Sequence, residues 1–333
     1  MAQVMKAYRF MNPSKGLEFT QVPVPVPEQD QILIEIKACG LCHTDCNVIS
    51  GLDQTLFWER PITLGHEIAG VVVSTGSQVT KFKAGDRVVG VLTSKHPIAV
   101  GDVMTSAGFG CDGGFAQFTM FRESKTLAIP HGVTFAQAAV ATDAGGTAYH
   151  AVVTVAEVSA SSKVAIVGLG GLGLSAVQIA ARFGARVYGI DIERSKFVPA
   201  LQSGAFICGR SFDDFPGVNF DIVLDFAGIG TTTAAGTKAV RPGGKVVLVG
   251  LSKKEATIDT HLFVMRGVRL IGSVGCSIDE VAKTLQMIED KEFTPIVEEI
   301  PFGKIIQGLQ RLSRGEVIGR LYTDPSKDEA TGA

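Results

Sequence analysis

The eight residues 39–46, CGLCHTDC, gather three cysteines, a histidine and an aspartate. Thiolate and imidazole are the donors that zinc prefers. Spacing makes Cys39, Cys42 and Cys46 candidates without choosing among them. A closed structural site needs four protein ligands, usually completed by a second CxxC or a histidine pair, and the chain has no second CxxC. The nearest further donors are His66 and Glu67 in LGHEIAG. The pattern therefore predicts an open site, completed from distant parts of the chain.

A second chemistry is written in KVAIVGLGGLGLSAVQIAARFGARVYGIDIE, residues 163–193. Gly168, Gly170 and Gly173 follow an apolar strand and open a helix, Gly171 and Leu172 complete the turn, and Asp191 ends the next strand. A lone GxGxxG says little, and its glycines could serve helix packing alone. The full strand, glycine turn, helix, strand and acid order is the dinucleotide fingerprint. Gly168 permits the turn, Gly170 lets backbone approach a pyrophosphate, and Gly173 seats the helix on the sheet, whose N-terminal amides face the anion. Asp191 is suited to accept hydrogen bonds from a ribose and to repel a 2′-phosphate, which favours NAD over NADP; Arg194 leaves some NADP use open. Lys196 either reaches the ribose or is an exposed helix lysine.

These residues need elements to carry them. The first third alternates short β-like runs with turn residues, as in ILIEIKA (32–38), IAGVVVSTG (68–76) and DRVVGVL (86–92), and reads as barrel-like. VPVPVPE (22–28) carries prolines that cannot donate to a ladder and should be an extended edge or connector. From about residue 150 the strands become near-continuously apolar: KVAIVG, ARVYGID, FDIVLDF, GKVVLVG and VRLIGSVG, most of them separated by helix-like segments. Such strands are buried on both faces, as in a parallel α/β sheet. A C-terminal amphipathic helix and short strand follow.

Composition bounds the partners. The chain has 333 residues, 46% hydrophobic and 19% charged, with a formal net charge of −2. That is a globular chain of about two domains with no general attraction to nucleic acid or anionic membrane. The N-terminus lacks the pattern of a secretory signal and no apolar run approaches the ~20 residues of a membrane helix, so a cytoplasmic protein with a small-molecule partner is expected. The six cysteines are not the even framework of a small secreted domain.

CGLCHTD, GHEIAGVV, GDRVVG, DGGFAQF and VGLGGLG, in this order and nearly end to end, resemble the zinc-dependent alcohol dehydrogenases of the medium-chain dehydrogenase/reductase superfamily. The resemblance implies a GroES-like, β-rich catalytic domain over 1–152 and 287–333 and a Rossmann-type parallel-sheet domain over 153–286. It also implies NAD, one catalytic zinc per subunit, an alcohol or carbonyl substrate, and a homodimer or homotetramer. By resemblance Cys42 and His66 are zinc ligands, and Glu67 is a carboxylate able to approach the metal during ligand exchange. Cys39 and Cys46 then become small buried thiols.

Two departures stand out. Where relatives often have cysteine as the third ligand, DAGGTAY gives Asp143; an aspartate oxygen is an acceptable zinc ligand, so Cys42, His66 and Asp143 are expected to hold the metal, the lesser alternative being that Asp143 caps a helix. Where many relatives carry four cysteines for a structural zinc, residues 91–111 contain only Cys111, so no structural zinc is expected and Cys111 and His96 are taken as loop residues. The resemblance further implies that Thr44 relays the alcohol proton through the cofactor ribose, that Asp45 orients His66, and that His43 faces the pyrophosphate, unless it is a plain loop histidine. Thr147 is implied to pack on the nicotinamide and Arg320 to pair with the pyrophosphate. The usual relay histidine is replaced by Asn47, which cannot act as a base. Leu56, Phe57 and Trp58 could line a pocket for a bulky or cyclic alcohol, or pack elsewhere. The competing readings are a zinc-free quinone or enone reductase of the same superfamily and a non-catalytic NAD-binding protein.

Overall fold

The computed structural model describes residues 3–52 and 60–327; Leu56, Phe57 and Trp58 lie outside the described residues. The chain divides into two compact units, Met1–Gly146 with Cys276–Asp290 and Val297–Ala333, and Thr147–Gly275 with Lys291–Ile296. The first unit thus ends a few residues before the expected 152. The second loses helix Ile278–Glu289, which the sequence boundary at 286 had largely assigned to it. The reason is local packing. Cys276 Sγ donates to the Thr142 carbonyl at 3.3 Å and Ser277 bridges Thr93, both in the first unit.

The first unit is built on a seven-stranded mixed sheet. Its order runs Val297–Ile300, Arg320–Thr323, Gln31–Gly40, Glu67–Thr75, Arg87–Gly90 and Thr126–Ala128, with Phe118–Arg122 also pairing Gln31–Gly40. A smaller sheet joins Gly16–Pro23, Val4–Asn12 and Ile62–Thr63. Alternating apolar residues of the long strand, Ile32, Ile34 and Ile36, are fully buried and share one core with Phe10, Leu64, Ile68 and Phe115. Residues 24–28 of the proline segment lie outside any strand, as expected of a chain that cannot donate at every second position.

The second unit carries a six-stranded, all-parallel sheet in the order Ile207–Gly209, Arg186–Ile190, Lys163–Val167, Phe220–Asp225, Val240–Leu248 and Arg269–Gly272. Val164, Ala165 and Ile166 are fully buried, as a strand covered on both faces must be. Strand Ile207–Gly209 was not foreseen, because three residues are too few to show a period. Strand order reverses about Lys163–Val167, the switch point at which such sheets bind ligands off their carboxyl ends. No helix among the described residues is long and apolar enough to cross a membrane.

Candidate active site

Cys42 sits where strand Gln31–Gly40 gives way to helix His43–Ser50, and it is the helix N-cap. Its Sγ accepts the Thr44 N–H at 3.5 Å, while Asp45 Oδ2 accepts the Cys42 N–H at 2.9 Å, a capping box with sulfur in place of the usual hydroxyl. The other oxygen of Asp45 accepts from Gly65 N at 3.3 Å and lies 3.4 Å from His66 Nδ1. One buried carboxylate therefore ties the Cys42 turn to the chain entering strand Glu67–Thr75. Asp45 stands beside His66 as expected, but without hydrogen-bond geometry; Nδ1 has no hydrogen-bond partner among the described residues.

Asp143 arrives from a different direction. It lies in Ala141–Gly145, a π-helical turn that follows helix Phe135–Val140. Such turns widen the helix by one residue and recur at functional sites. Here the turn, not a helix cap, carries the aspartate. Its Oδ2 is 3.4 Å from Cys42 Sγ and 3.7 Å from His66 Nε2. Bonds of about 2.0–2.3 Å to a tetrahedral zinc would put donor atoms roughly 3.3–3.7 Å apart. A thiolate, an imidazole and a carboxylate with this spacing fit one zinc ion with a position to spare, so Cys42, His66 and Asp143 are a chemically competent donor set.

Arg320 has a different environment from the one expected of it. Its side chain is 3% exposed, and its guanidinium meets two carboxylates through Nε and Nη2. Nε donates to both Glu67 oxygens at 3.0 and 2.9 Å, and Nη2 donates to Glu67 Oε1 at 2.6 Å and to Asp143 Oδ2 at 2.7 Å. Room for this comes from Gly40, the register partner of Glu67, where a Cβ would lie 1.8 Å from Glu67 Oε2. Glu67 also accepts from Ala144 N at 3.1 Å, so it anchors the turn that presents Asp143.

The charges are closely balanced. Burial pushes Glu67 up to about 7; Arg320 opposes this, but its single charge is divided with Asp143. Asp143 goes the other way: burial raises it, yet the hydrogen bond from His66 and the charges of Arg320 and His66 hold it well below the carboxylate range. Burial lowers His66, but the neighbouring Asp45 and Asp143 outweigh that and raise it. The flanking thiols are not part of this network. Burial drives Cys46 up to about 12 and Cys39 well above its ordinary value, and their sulfurs donate to the Leu309 and Gly40 carbonyls.

The remaining candidates fall into place by unit. Thr44 Oγ1 is 3.5 Å from Cys42 Sγ, and His43 is exposed at the first position of the same helix. His96 is more than a loop residue, with Nε2 3.4 Å from Glu280 Oε2. Sequence reasoning missed Phe109, whose ring centroid lies 4.6 Å from that of His66; nothing in GFG marks it. In the second unit Thr147 is buried in helix Gly146–Tyr149.

The glycine turn has the expected geometry. Gly168 has φ +88°, and a Cβ on Gly173 would lie 1.8 Å from the Gly168 carbonyl oxygen. Gly170, at the N-cap of helix Gly171–Arg182, has open space around its missing Cβ. Asp191 holds the turn, accepting from Leu169 N at 2.8 Å and Glu193 N at 2.9 Å. Lys196 is neither an exposed lysine nor independent of Asp191. Its side chain is 12% exposed and its Nζ is 3.2 Å from Asp191 Oδ2.

Known proteins resemble the chain over nearly its whole length. Residues 28–131 match the alcohol dehydrogenase GroES-like domain and residues 171–290 the zinc-binding dehydrogenase domain. The chain is 31% identical over 339 residues to an alcohol dehydrogenase of Geobacillus stearothermophilus, covering 95% of this chain and 98% of that one. It is 27% identical over 353 residues to an NAD-dependent alcohol dehydrogenase of Sulfurisphaera tokodaii, covering 96% and 100%. Among solved structures it superposes with TM-score 0.90 and 29% identity, over 99% of both chains, on acetophenone reductase from Geotrichum candidum in complex with NAD.

Proposed function

Since the chain belongs to the alcohol dehydrogenases of the medium-chain dehydrogenase/reductase family, we propose that it interconverts an alcohol and its ketone or aldehyde with NAD, using one zinc held by Cys42, His66 and Asp143. The observation that carries this reading is the meeting of those three donors, from three distant segments, at 3.4 and 3.7 Å. When bound, zinc supplies a Lewis acid for the substrate oxygen and NAD the acceptor for hydride.

The chain's own residues do the rest. Asp45 fixes the Cys42 turn against the His66 segment. Thr44, with a hydroxyl that both accepts and donates, takes the substrate proton at Oγ1 and gives up its own. Asn47 offers no base, so the proton leaves to water. Asp191 and the glycine turn hold the adenosine ribose and pyrophosphate. Lys196 partly offsets the Asp191 charge, which softens the rejection of a 2′-phosphate. A homodimer or homotetramer fits a second unit whose parallel sheet ends in strand Arg269–Gly272 with Leu270 exposed.

The test is an alcohol and ketone panel, including 1-phenylethanol and acetophenone, run with NAD and NADP beside metal analysis. Expected are one zinc per chain and turnover preferring NAD; a zinc-replete protein inert with every alcohol and carbonyl would overturn the proposal. The Arg320–Asp143 ion pair, 2.7 Å long, favours a second reading in which the guanidinium stands where a metal would act and the enzyme is a zinc-free quinone or enone reductase. Metal content separates the two.

Gly170→Ala gives an independent check of the cofactor half. Because, apart from its chain neighbours, no described residue lies within 4 Å of the added methyl, the fold should tolerate it. NAD affinity should fall by about tenfold or more, since this glycine admits the pyrophosphate. Titration of NADH fluorescence measures the loss, and unchanged affinity would exclude the turn from cofactor binding.

A further inference from the structure

Residues 93–112 form a lobe with almost no apolar interior: only Thr93, Ser106 and Gly108 are buried, and helix Val100–Met104 buries nothing. A cation organises it instead. Lys125, 8% exposed, donates through Nζ to the Asp102 carbonyl at 2.8 Å, Thr105 Oγ1 at 3.0 Å and Ser106 Oγ at 3.1 Å, with Asp102 Oδ1 at 3.6 Å. That accounts for all three ammonium hydrogens. Removing the lysine would take away the cation on which this carbonyl and these two hydroxyls converge, leaving the turn only its internal hydrogen bonds and that of Ser106 Oγ to the Leu92 carbonyl.

Ser106 carries the order inward. Its carbonyl accepts from Phe109 N at 3.2 Å, Gly110 N at 3.1 Å and Cys111 N at 3.1 Å, which fixes the turn that bears Phe109. Gly108, at φ +78°, and Gly113 let this turn press on the chain at Gly65; a Cβ at either would lie 2.3 Å from the Gly65 carbonyl oxygen. Phe109 then places its ring 4.6 Å from the His66 imidazole, tilted by 42°. The contact runs from Lys125 through Ser106 and Phe109 to His66, wholly within the first unit.

A metal-bound histidine is normally held in orientation by a hydrogen bond from its other nitrogen. His66 Nδ1 has none, lying 3.4 Å from Asp45 without the required alignment. The ring of Phe109, 4.6 Å away, is a restraint on the imidazole that does not depend on that hydrogen bond. We propose that Phe109 is a positioning residue for the His66 imidazole, and that Lys125, by ordering the lobe, positions Phe109. The proposal rests on His66 as a zinc ligand. Phe109 limits rotation of the ring and keeps water from it, so it slows metal loss without touching the metal.

Two measurements test this on the full-length protein. Zinc release to a chromophoric chelator should be about tenfold faster in Phe109→Ala and in Lys125→Met, the range found when partners of metal ligands are removed. The double variant should be no faster than either single one, because the two act through one contact. Phe109→Tyr and Lys125→Arg should stay near wild type. In the metal-stripped protein, diethylpyrocarbonate should modify His66 several-fold faster in Phe109→Ala than in wild type, located by mass spectrometry, with exposed His131 unchanged as the internal control. Unchanged release and labelling in Phe109→Ala would overturn the proposal, and additive effects in the double variant would overturn the role of Lys125. A wild-type protein that binds no zinc would defeat the metal assignment instead, and the labelling comparison would still decide whether Phe109 restrains the ring.

Discussion

Asp143→Ala protein is expected to be isolated with little zinc and to turn over at least about 10³-fold more slowly than wild type. Two effects act in the same direction. The first is the loss of a donor: Cys42 and His66 alone offer two ligands, short of the three that catalytic zinc sites use. The second is charge. Arg320 is shared between Glu67 and Asp143 in the intact protein; without Asp143 the guanidinium keeps only Glu67, and the site facing a dication becomes more positive by one unit. Metal catalysis supplies several kcal/mol of charge stabilisation, and about 1.4 kcal/mol is tenfold in rate, so a loss near three decades follows. Asp143→Asn separates the effects, since it keeps the shape and removes the charge. Asp143→Cys should recover zinc, because thiolate is the softer and commoner donor. Elemental analysis and NADH formation measure both quantities. Full zinc and full activity in Asp143→Ala would refute the ligand set.

What could be foreseen followed from local chemistry. The glycine turn was legible because each glycine answers a local steric demand, and the apolar strands because burial on both faces leaves an unbroken run. Cys42 and His66 were picked out only through resemblance; spacing within CGLCHTDC could not choose among three cysteines, and in the fold it is Cys42, at the cap of helix His43–Ser50, whose Sγ lies near His66 and Asp143. Asp143 needed the same help, since a π turn leaves no periodic trace in five residues. The partners of Arg320 were not legible at all. They depend on strand register, which opposes Gly40 to Glu67, and on strand Arg320–Thr323 joining the same sheet. Phe109 was hidden for a similar reason: its neighbour His66 is 43 positions away in a lobe whose order comes from a lysine farther on.

The burial of Arg320 yields the other large effect. In Arg320→Met, Glu67 and Asp143 remain in the interior with no guanidinium between them, and Glu67 is fully buried and already raised to about 7 by that burial. Breaking a buried ion pair by removing one partner costs about 3–5 kcal/mol, because the other charge is left uncompensated. Chemical denaturation of the metal-stripped protein should show a loss of that size. Arg320→Met with Glu67→Met should recover part of it, since replacing a buried pair by apolar side chains is close to neutral and only the less buried Asp143 is then left without its arginine. Arg320→Lys should recover little, because one ammonium cannot reproduce the fork that meets two carboxylates. The alternative, in which this arginine holds the cofactor pyrophosphate, gives the opposite pattern: NAD affinity falls about tenfold or more while stability is kept. The observed side chain has its Nε and Nη2 committed at 2.6–3.0 Å to carboxylates, so stability should carry the effect and NADH titration should change little.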